Sequence, residues 1–442
     1  MNDAESVVRS SFSAVQADLE RLVAIPGVSA AAFSASEVRR SASAVAEILL
    51  GYGLDKVQLL ESGGHPAVYG EAAGPSGAPT IFVYGHHDVQ PPGREERWLS
   101  PPFEAVVRDG RMFGRGTADD KGGFLACLSA IRACAELPCT FKVLIEGEEE
   151  IGSPHLPDLL AAHRDLVACD FVVLCDTPNF DTGVPALTYR LRGNCLVDVE
   201  VRCLDRPVHS GQAGGLAPDA TMILCSMLAS LAVPGLDPVP GDTFRALPFD
   251  DNRVRERFGL LEGVAFAGEA SWESIWARPS LAVTAFESVP LSRAANQISD
   301  SARARLSLRT IPGMDTREAG HLLAAAIRSR ASHGAHVDVQ VIGGPEPWEA
   351  DPHHPVFTLA RRALSHAFGA DAVMVGSGGS IGFVEPFAKL AGNIPPLLTG
   401  VQDPYSNAHS ENESLHLGDW LKSMVAAVYL FQELAQYDPH SH

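Results

Sequence analysis

The stretch YGHHDVQP, residues 84–91, follows the apolar run at residues 80–84 and places two histidines beside an aspartate. If that run is a buried strand that continues in extended form, alternate side chains share a face. His86 and Asp88 then point one way and His87 points the other. A carboxylate can fix the ring orientation of a histidine that binds a metal. The stretch therefore indicates either a metal ligand with its orienting carboxylate or a strand-end turn with a buried, hydrogen-bonded histidine.

The composition is typical of a globular protein with an acidic surface. The chain has 442 residues, which suggests two domains, and 46% of the residues are hydrophobic while 20% are charged. Because the formal net charge is −20, the surface should repel phosphate backbones, and we expect neither nucleic acid nor a membrane as a partner. The sequence contains no apolar run of membrane-spanning length, and its first residues do not have the order of a signal peptide.

The 8 cysteines do not form any Cys-x-x-Cys pair, and several of them lie inside apolar runs. Free buried thiols in a reducing compartment explain this pattern better than disulfides do. We therefore predict a cytoplasmic protein. A thiolate metal site is not expected, so any metal would have to bind to His, Asp and Glu side chains.

Hydrophobic periodicity predicts an α/β layer in the first part of the chain. Short apolar runs alternate there with segments whose apolar residues recur at helical spacing. Strands that alternate with helices favour a largely parallel sheet. The strands predicted for this part are residues 57–60, 80–84, 141–145 and 171–174.

The pattern then changes to that of a second, inserted domain. Alternating runs and two helical segments follow in β-α-β-β-α-β order, which is the signature of a small ferredoxin-like layer. The Pro- and Gly-rich stretch 233–241 begins an irregular excursion within it. The α/β character returns afterwards. We predict a discontinuous α/β domain, residues 1–190 and 343–442, with a mixed, mostly parallel sheet between helices, and an inserted α+β domain at residues 191–342.

Acidic and histidine residues stand at the ends of predicted strands or helices throughout the discontinuous domain. Ligands of an open α/β sheet bind outside the carboxyl ends of its strands, so we expect these side chains to share one site. Oxygen and imidazole ligands without thiolate suit zinc, manganese or cobalt. Each position also has a structural alternative, such as a helix-start acid, a solvated charge run, a turn cap or a surface histidine. Besides His86, the candidate residues are Asp119, Glu149, Glu150, Asp176 and His409.

Five blocks resemble the metal-binding blocks of the dinuclear zinc peptidases that include carnosinase, glutamate carboxypeptidase, aminoacylase and succinyl-diaminopimelate desuccinylase. The resemblance runs in the same order from about residue 80 onwards. It implies a catalytic domain with two zinc ions, for which manganese or cobalt could substitute, and a lid domain that forms a homodimer. The blocks are GHHDVQP, GRGTADDKGG, EEIGS, the strand-end Asp176 and NAHSENE.

The resemblance also implies a role for each of these residues. His86 and Asp176 bind one metal, Glu150 and His409 bind the other, and Asp119 bridges the two. Asp88 orients His86, His87 is a bystander, and Glu149 is the general base. The peptide bond after Asp119 is expected to be cis. An aspartate at position 176 is similar to the dipeptidase and aminopeptidase members of the family.

Substrate-binding residues are implied in the same way. His209, in PVHSGQAGG, resembles a histidine that polarises the scissile carbonyl from the partner subunit. Asn296 and Arg309 match positions that hold the substrate, and Arg309 would bind a carboxylate through its planar guanidinium. Gly379 and Ser380, in GSGGSIG, match the segment that grips the substrate's C-terminal end.

The sequence departs from carnosinase-like members at two places. Gly376-Ser377 stands where those members have Arg-Glu, and Gly343-Gly344 stands where they have a histidine upstream of a Pro-Trp pair. Both departures argue against carnosine itself as the substrate.

The prediction is therefore a metal-dependent hydrolase that cleaves the amide bond of dipeptides or short peptides by a water bridging two metal ions. An N-acyl-amino-acid amidohydrolase working at the same site is the alternative. A distant alternative is a serine α/β-hydrolase, because residues 378–382 fit Gly-x-Ser-x-Gly around Ser380 and precede Asp403 and His409. A non-catalytic binding protein with the same fold is a further hypothesis, and the presence of Glu149 argues against it.

Overall fold

The structure is a computed structural model that describes residues 3–134, 138–231, 247–390, 392 and 394–438. Its Cα positions divide the chain into two compact units. The first unit consists of Met1–Tyr189, Ala350–Val375 and Phe383–His442. The second consists of Arg190–Glu349 and Gly376–Gly382.

Helices occupy the segments whose apolar residues recur at helical spacing. In the last helix, for example, Trp420, Met424, Val428 and Phe431 are buried on one stripe. The α-helices of the described residues are α1 (Asp3–Val23), α2 (Ala35–Gly51), α3 (Lys121–Ala133), α4 (Leu156–Ala162), α5 (Arg164–Val167), α6 (Ser210–Ala213), α7 (Ala220–Ala229), α8 (Asp251–Arg257), α9 (Trp272–Trp276), α10 (Thr316–Arg328), α11 (Pro355–Phe368), α12 (Val384–Leu390) and α13 (Leu417–Gln436).

Strands occupy the short apolar and alternating runs. Apolar runs that are buried on both faces form the centre of the larger sheet, as expected for parallel strands. The strands are β1 (Asp55–Leu60), β2 (Ala67–Ala72), β3 (Thr80–His86), β4 (Val106–Arg108), β5 (Arg111–Phe113), β6 (Thr140–Glu146), β7 (Phe171–Leu174), β8 (Ala186–Leu191), β9 (Gly193–Arg202), β10 (Val208–His209), β11 (Ser280–Glu287), β12 (Gln297–Ile298), β13 (Ser301–Thr310), β14 (His336–Gly343), β15 (Trp348–Glu349), β16 (Val373–Ser377), β17 (Leu397–Leu398) and β18 (Ser414–His416).

The larger sheet is mixed, and its parallel part lies in the centre. Its strands follow the order β1-β2-β6-β3-β7-β17-β8, and β15 and β16 also pair with β8. The neighbours β6, β3, β7 and β17 are parallel, whereas β1, β2 and β8 join antiparallel. The predicted fold class is confirmed, but the sheet is less parallel than expected because β1 and β2 form a hairpin at its edge. The carboxyl ends of β3, β6 and β7 meet at one edge, where ligands of α/β sheets bind.

The second unit contains a four-stranded antiparallel sheet. Its order is β11-β13-β9-β14, and the helices α7 and α10 pack against β9. Alternate residues of β9 and β13 join the helices in a single apolar core, which includes Val197, Leu224, Leu306 and Leu323. This is the β-α-β-β-α-β arrangement that the alternating pattern predicted.

Two details differ from the sequence prediction. The second unit ends at Glu349 and also takes Gly376–Gly382, whereas residues 343–442 were all predicted to belong to the first region. Within the second unit, Arg192 donates a hydrogen bond to the carbonyl of Gly378 in this segment. The stretch 233–241 lies outside the described residues. Of the helices that the structure describes, none is both long and apolar enough to cross a lipid bilayer.

Candidate metal centre

The candidate ligands lie on loops that leave the sheet at its carboxyl edge. His86 is the last residue of β3, and Asp176 follows β7 by two positions. Glu149 and Glu150 begin a short 3-10 helix just after β6, and Asp119 precedes α3. The parallel register of β3 with β6 and β7 therefore brings these loops together.

The His86 ring is fully buried and faces three carboxylates. Its Nε2 lies 3.1 Å from Asp119 Oδ1, 3.8 Å from Asp176 Oδ2 and 3.9 Å from Glu149 Oε2. On the other side of the ring, Nδ1 lies 3.1 Å from the backbone carbonyl oxygen of Asp88. A second contact of 3.4 Å joins Nδ1 to Asp88 Oδ1. These contacts aim Nε2 at the carboxylates, as a metal-binding histidine requires.

The other oxygen of Asp119 faces a second group of side chains. His409 Nε2 lies 3.0 Å from Asp119 Oδ2 and 3.2 Å from Glu150 Oε2. Gln90 holds the Glu150 carboxylate through its backbone N–H, at 3.1 Å, and its side-chain amide, at 2.8 Å. Asp119 thus has one oxygen toward each histidine, which is the arrangement expected of a bridging carboxylate.

The donor set fits two divalent cations. In each of two groups, every residue offers one ligand atom and these atoms all lie within 4.8 Å of one another: His86, Asp119 and Asp176 in one, and Asp119, Glu150 and His409 in the other. Both groups combine imidazole with carboxylate and contain no thiolate, which suits zinc or manganese. The predicted cis peptide bond between Asp119 and Asp120 is present.

The electrostatics of the cluster also favour bound cations. Burial raises the pKa of Glu149 well above its ordinary value, and the neighbouring carboxylates of Asp176, Glu150 and Asp119 raise it further. His86 acts in the opposite direction and lowers it, but by less. Burial and Asp119 likewise raise the pKa of Asp176. Crowded carboxylates of this kind repel one another, and a divalent cation between them would relieve the repulsion. A raised pKa also suits a group that must accept and return a proton.

Asp88 has contacts beyond those with the His86 ring. Its two carboxylate oxygens accept hydrogen bonds from the backbone N–H groups of Glu149 and Glu150, at 3.2 and 3.1 Å. The carboxylate therefore fixes the start of the 3-10 helix that carries both glutamates. Sequence reasoning assigned only the contact with His86, whose ring nitrogen is nearer to the Asp88 backbone carbonyl than to the side chain.

Glu413 contacts the Asp119 loop, and sequence reasoning did not single it out. Its carboxylate is fully buried and accepts hydrogen bonds from the backbone N–H groups of Gly116, Ala118 and Asp119 at 2.9, 2.9 and 3.1 Å. Arg115 Nη1 donates to the same carboxylate at 2.8 Å. Glu413 therefore holds the backbone of the central ligand loop. The available signal was its place at the end of the NAHSENE block.

Arg115 ties three loops of the centre together. Besides its ion pair with Glu413, its Nη2 donates to the carbonyls of Pro91 and Ser410 at 3.1 and 3.0 Å. Pro91 follows the His86 loop, and Ser410 follows His409. The guanidinium is buried, so these contacts fix the loops relative to one another.

Asp120 is also buried beside the ligands. One of its oxygens accepts a hydrogen bond from the backbone N–H of His86 at 3.3 Å. A Cβ at Gly85 would lie 2.5 Å from this carboxylate, and a Cβ at Gly123 only 1.8 Å from it. The close approach requires glycine at both positions.

His87 serves packing, as the alternation of β3 predicted. Its ring is fully buried on the opposite side, where Nε2 lies 3.0 Å from the Pro66 carbonyl. Glu146 and Glu148 are also structural. The hydroxyl of Tyr84 donates to Glu146, and His155 Nδ1 lies 2.8 Å from Glu148 Oε2.

The residues implied to bind substrate lie in the second unit. Strands β10 and β12 pair there, and the backbone N–H after His209 donates to the carbonyl of Asn296 at 2.8 Å. Both side chains are exposed. Arg309 Nη1 donates to Ser380 Oγ at 2.8 Å, and Gly379 precedes that serine. The functions of these residues stay predictions.

The structure gives the serine-hydrolase hypothesis no acid for its triad. Both oxygens of Asp403 accept hydrogen bonds from Arg111, at 2.7 and 2.8 Å. His409 contacts Asp119 and Glu150 instead. Ser380 is hydrogen-bonded to Arg309. Among the described residues, Asp403 therefore stabilises a loop and does not orient a catalytic histidine.

Comparison with known proteins agrees with the sequence blocks. Residues 82–437 match peptidase family M20/M25/M40. The chain is 35% identical over 353 residues to the cysteinylglycine-S-conjugate dipeptidase of Corynebacterium striatum, with 76% of this chain and 77% of that protein covered. It is 28% identical over 457 residues to the Cys-Gly metallodipeptidase of Schizosaccharomyces pombe, with 95% of each covered.

A solved structure shows the same fold. The crystal structure of human carnosine dipeptidase 1 matches with a TM-score of 0.85 at 26% identity, and 98% of each chain is covered. The match extends over both units, so it includes the α+β insertion as well as the metal centre. The chain therefore belongs to peptidase family M20/M25/M40 and is a metallopeptidase.

Proposed function

We propose that the protein hydrolyses the amide bond of dipeptides or short peptides with the help of two divalent metal ions, zinc being the first choice. The observation that carries this proposal is the Asp119 carboxylate, whose two oxygens lie 3.1 Å from His86 Nε2 and 3.0 Å from His409 Nε2. The relatives supply the substrate class. They include dipeptidases for cysteinylglycine S-conjugates and for Cys-Gly.

The proposed mechanism uses His86 and Asp176 for one ion, Glu150 and His409 for the other, and Asp119 for both. Ions bound there would lower the pKa of a water molecule and polarise the carbonyl of the scissile amide. The protein itself contributes by holding the metal ligands in position. His86 and Asp119 are buried, whereas the His409 side chain is exposed, and the neighbouring backbone N–H groups and side chains keep the ligands in place.

Glu149 is the proposed general base. It is mostly buried, and its carboxylate lies 3.9 Å from His86 Nε2 without taking a ligand position in either group. In the reaction it would take a proton from the attacking water and deliver it to the leaving amine. Burial raises its pKa, as such a two-way transfer requires.

Arg309 and Ser380 are proposed to bind the carboxylate of the substrate's last residue. The Arg309 guanidinium is half-buried and donates to Ser380 Oγ. Within the described part of the chain, no carboxylate lies within ion-pair distance of it. His209 and Asn296 are proposed to reach the active site of a second copy and to contact the scissile carbonyl and the substrate.

The proposed homodimer is supported by the surface of the second unit. Strand β11 is an edge strand, and most of its residues are exposed. Large apolar side chains are exposed on and near it and α7, which is unusual for a surface that faces water alone. They are Leu216, Met222, Val283, Phe286, Val289 and Leu291.

An N-acyl-amino-acid amidohydrolase would use the same metal centre. The two functions differ at the substrate's amino end, which is free in a dipeptide and acylated in the alternative. The relatives favour the dipeptide. We also propose a cytoplasmic location, because all eight cysteines are free, including Cys127 and Cys175, whose sulfurs lie 3.2 Å apart.

The test is a substrate panel assayed before and after metal removal. Dipeptides with a C-terminal glycine, N-acetylated amino acids and one tripeptide would each be incubated with the chelator-treated protein and with zinc, manganese or cobalt added back. We expect loss of dipeptide hydrolysis with chelator and recovery with at least one metal. Hydrolysis of only the N-acetylated compounds would favour the alternative function. Activity that withstands complete metal removal would contradict the proposal.

A further inference from the structure

Arg192 and Arg309 of the second unit are largely withdrawn from solvent, yet neither has an acidic partner among the described residues. Buried arginines in proteins are normally paired with a carboxylate. Arg115 and Arg190 obey this rule, with Glu413 and Glu349 at 2.8 and 2.9 Å. Arg192, which is 9% exposed, and Arg309 do not, since no described carboxylate lies within ion-pair distance of either guanidinium.

The two unpaired guanidiniums are neighbours. In the pairing of β9 with β13, Arg309 lies opposite Asn194. Asn194 follows Arg192 by two positions in the chain. Burial, and in second place the charge of Arg309, lowers the pKa of Arg192 to about 10. In a chain whose net charge is −20, a buried and a half-buried cation side by side, with no described acid between them, favour an anion.

Arg192 is attached to the loop that carries Ser380. Its Nε donates to the carbonyl of Gly378 at 3.2 Å, and its backbone N–H donates to the carbonyl of Ser377 at 3.3 Å. Its Nη1 donates to the carbonyl of Arg278 at 3.2 Å and to Ser280 Oγ at 3.1 Å. One side chain therefore ties this loop to the start of β11.

The contact with Gly378 is close and depends on the absence of a side chain. A Cβ at this position would lie 2.9 Å from Arg192 Nη2 and 3.2 Å from the carbonyl oxygen of Ile275. The backbone of Gly378 thus rests directly on the guanidinium. Any shift of Arg192 would move the loop, and with it the hydroxyl that accepts the hydrogen bond from Arg309.

We propose that Arg192 is a positioning residue that fixes the 376–380 loop and adds positive charge beside Arg309, so that the protein favours substrates ending in a free carboxylate. The inference rests on the proposed function, in which Arg309 and Ser380 bind that group. In this inference, Arg192 holds the Ser380 hydroxyl where it can accept a hydrogen bond from Arg309. It also predicts a preference that a neutral side chain at position 192 would lose.

The test compares Arg192→Lys and Arg192→Met with the matched control Arg190→Lys, which changes a buried arginine on the preceding strand that already has its acid. Each protein is assayed on one dipeptide and on the same dipeptide with a C-terminal amide. We expect Arg192→Met, which removes the charge and the hydrogen bonds, to raise KM for the free acid about tenfold. Arg192→Lys keeps the charge but loses the planar guanidinium, so it should raise KM in the same direction by a smaller factor. The change in kcat should be small. KM for the amide should move far less, and Arg190→Lys should preserve the wild-type ratio between the two substrates.

A second variant keeps the test independent of a change at Arg192 itself. Gly378→Ala leaves every charge in place but pushes against the guanidinium, so it should raise KM for the free acid in the same direction. Metal content and melting temperature are measured for all variants. Equal losses on the acid and the amide, or a fall in kcat that follows thermal stability, would show a purely structural role and overturn the inference. A wild-type protein that cleaves neither compound would contradict the proposed function instead.

Discussion

The carboxylate of Asp88 accepts a hydrogen bond from the backbone N–H of Glu149, with 3.2 Å between Oδ1 and the nitrogen. The same oxygen lies 3.4 Å from Nδ1 of the His86 ring. The position of the proposed base is therefore set through its main chain by the residue that also supports a ligand. Chemistry at the Glu149 side chain can be altered without disturbing the loop that carries it.

Replacing Glu149 with glutamine should lower kcat by a factor of about 100 to 10,000, the range typical for loss of a general base. The two metals should remain, because Glu149 belongs to neither ligand group. Steady-state kinetics and elemental analysis of the purified variant would check both statements. Near-normal turnover, or a loss of metal that parallels the loss of rate, would refute the role given to this residue.

The neighbours His86 and His87 should respond differently to alanine. His86→Ala removes the ligand that faces Asp119 and Asp176, so the protein should lose the metal of that site. His87→Ala should retain both metals, because its ring contacts the Pro66 carbonyl on the opposite side. Metal content per chain, measured after dialysis, separates the two. Equal metal loss would contradict the strand-alternation argument.

His87 should make the fold sensitive to acid. Burial lowers the pKa of its ring to about 4, whereas a histidine in the unfolded chain titrates near 6.5. The unfolded state therefore binds the extra proton between these values, and stability falls as pH decreases through this window. We expect a loss of about 2 kcal/mol between pH 7 and pH 5 from this group. His87→Gln, which can still donate to the Pro66 carbonyl, should show a smaller pH dependence of the free energy of unfolding in urea; an identical dependence would exclude His87 as its source.

Glu413→Gln should weaken metal binding although Glu413 is not a ligand. The amide leaves only one oxygen to accept the hydrogen bonds that now hold Gly116, Ala118 and Asp119, and it removes the charge that pairs with Arg115. Loss of such a supporting contact typically costs about 10- to 100-fold in metal affinity. Competition with a chelator of known affinity would measure the change. Glu411→Gln, in the same loop but with its carboxylate paired with the exposed Arg94, is the matched control and should bind metal like the wild type.

The proposed sharing of the active site predicts complementation. His209→Ala and Glu149→Gln should each be inactive alone. If His209 acts on the partner's centre, a mixed dimer has one site with both defects and one site with neither. Refolding the two variants together should then restore about a quarter of wild-type activity when chains pair at random. A mixture that stays inactive, although mixed dimers are detected, would place His209 in its own subunit's site or outside catalysis.

Part of the candidate metal centre could be predicted because several of its candidate ligands follow strands. His86 stands at the end of β3, and Asp176 comes just after β7, so each was marked by an apolar run followed abruptly by a polar residue. Alternation along β3 then separated His86 from His87. Such local signals survive in a single sequence because the side-chain direction of a strand depends only on its own backbone.

The rest depended on contacts between distant parts of the chain. In the sequence, Glu413 is one of several acidic residues in a polar loop. The pairing of β18 with β5 brings it to the Asp119 loop. The hydrogen bond from Arg192 to the carbonyl of Gly378 likewise joins residues that are 186 positions apart in sequence. The local sequence around each of these residues contains no periodic pattern that predicts its distant partner. Long-range polar pairs of this kind leave no mark on local hydrophobic spacing.

The hydrogen bond from the Asp119 backbone to Glu413 spans 294 positions of the chain. During synthesis at roughly 5–20 residues per second, Asp119 leaves the ribosome about 15 to 60 s before Glu413 does. Throughout that interval the central ligand loop lacks the carboxylate that shapes it, and His409 has not been made. The nascent chain would carry an unfinished cluster of acids and one histidine, open to whichever divalent ion it meets first. We therefore expect the full set of candidate ligands, and with it any selectivity among metals, to be in place only after translation has passed the His409 loop.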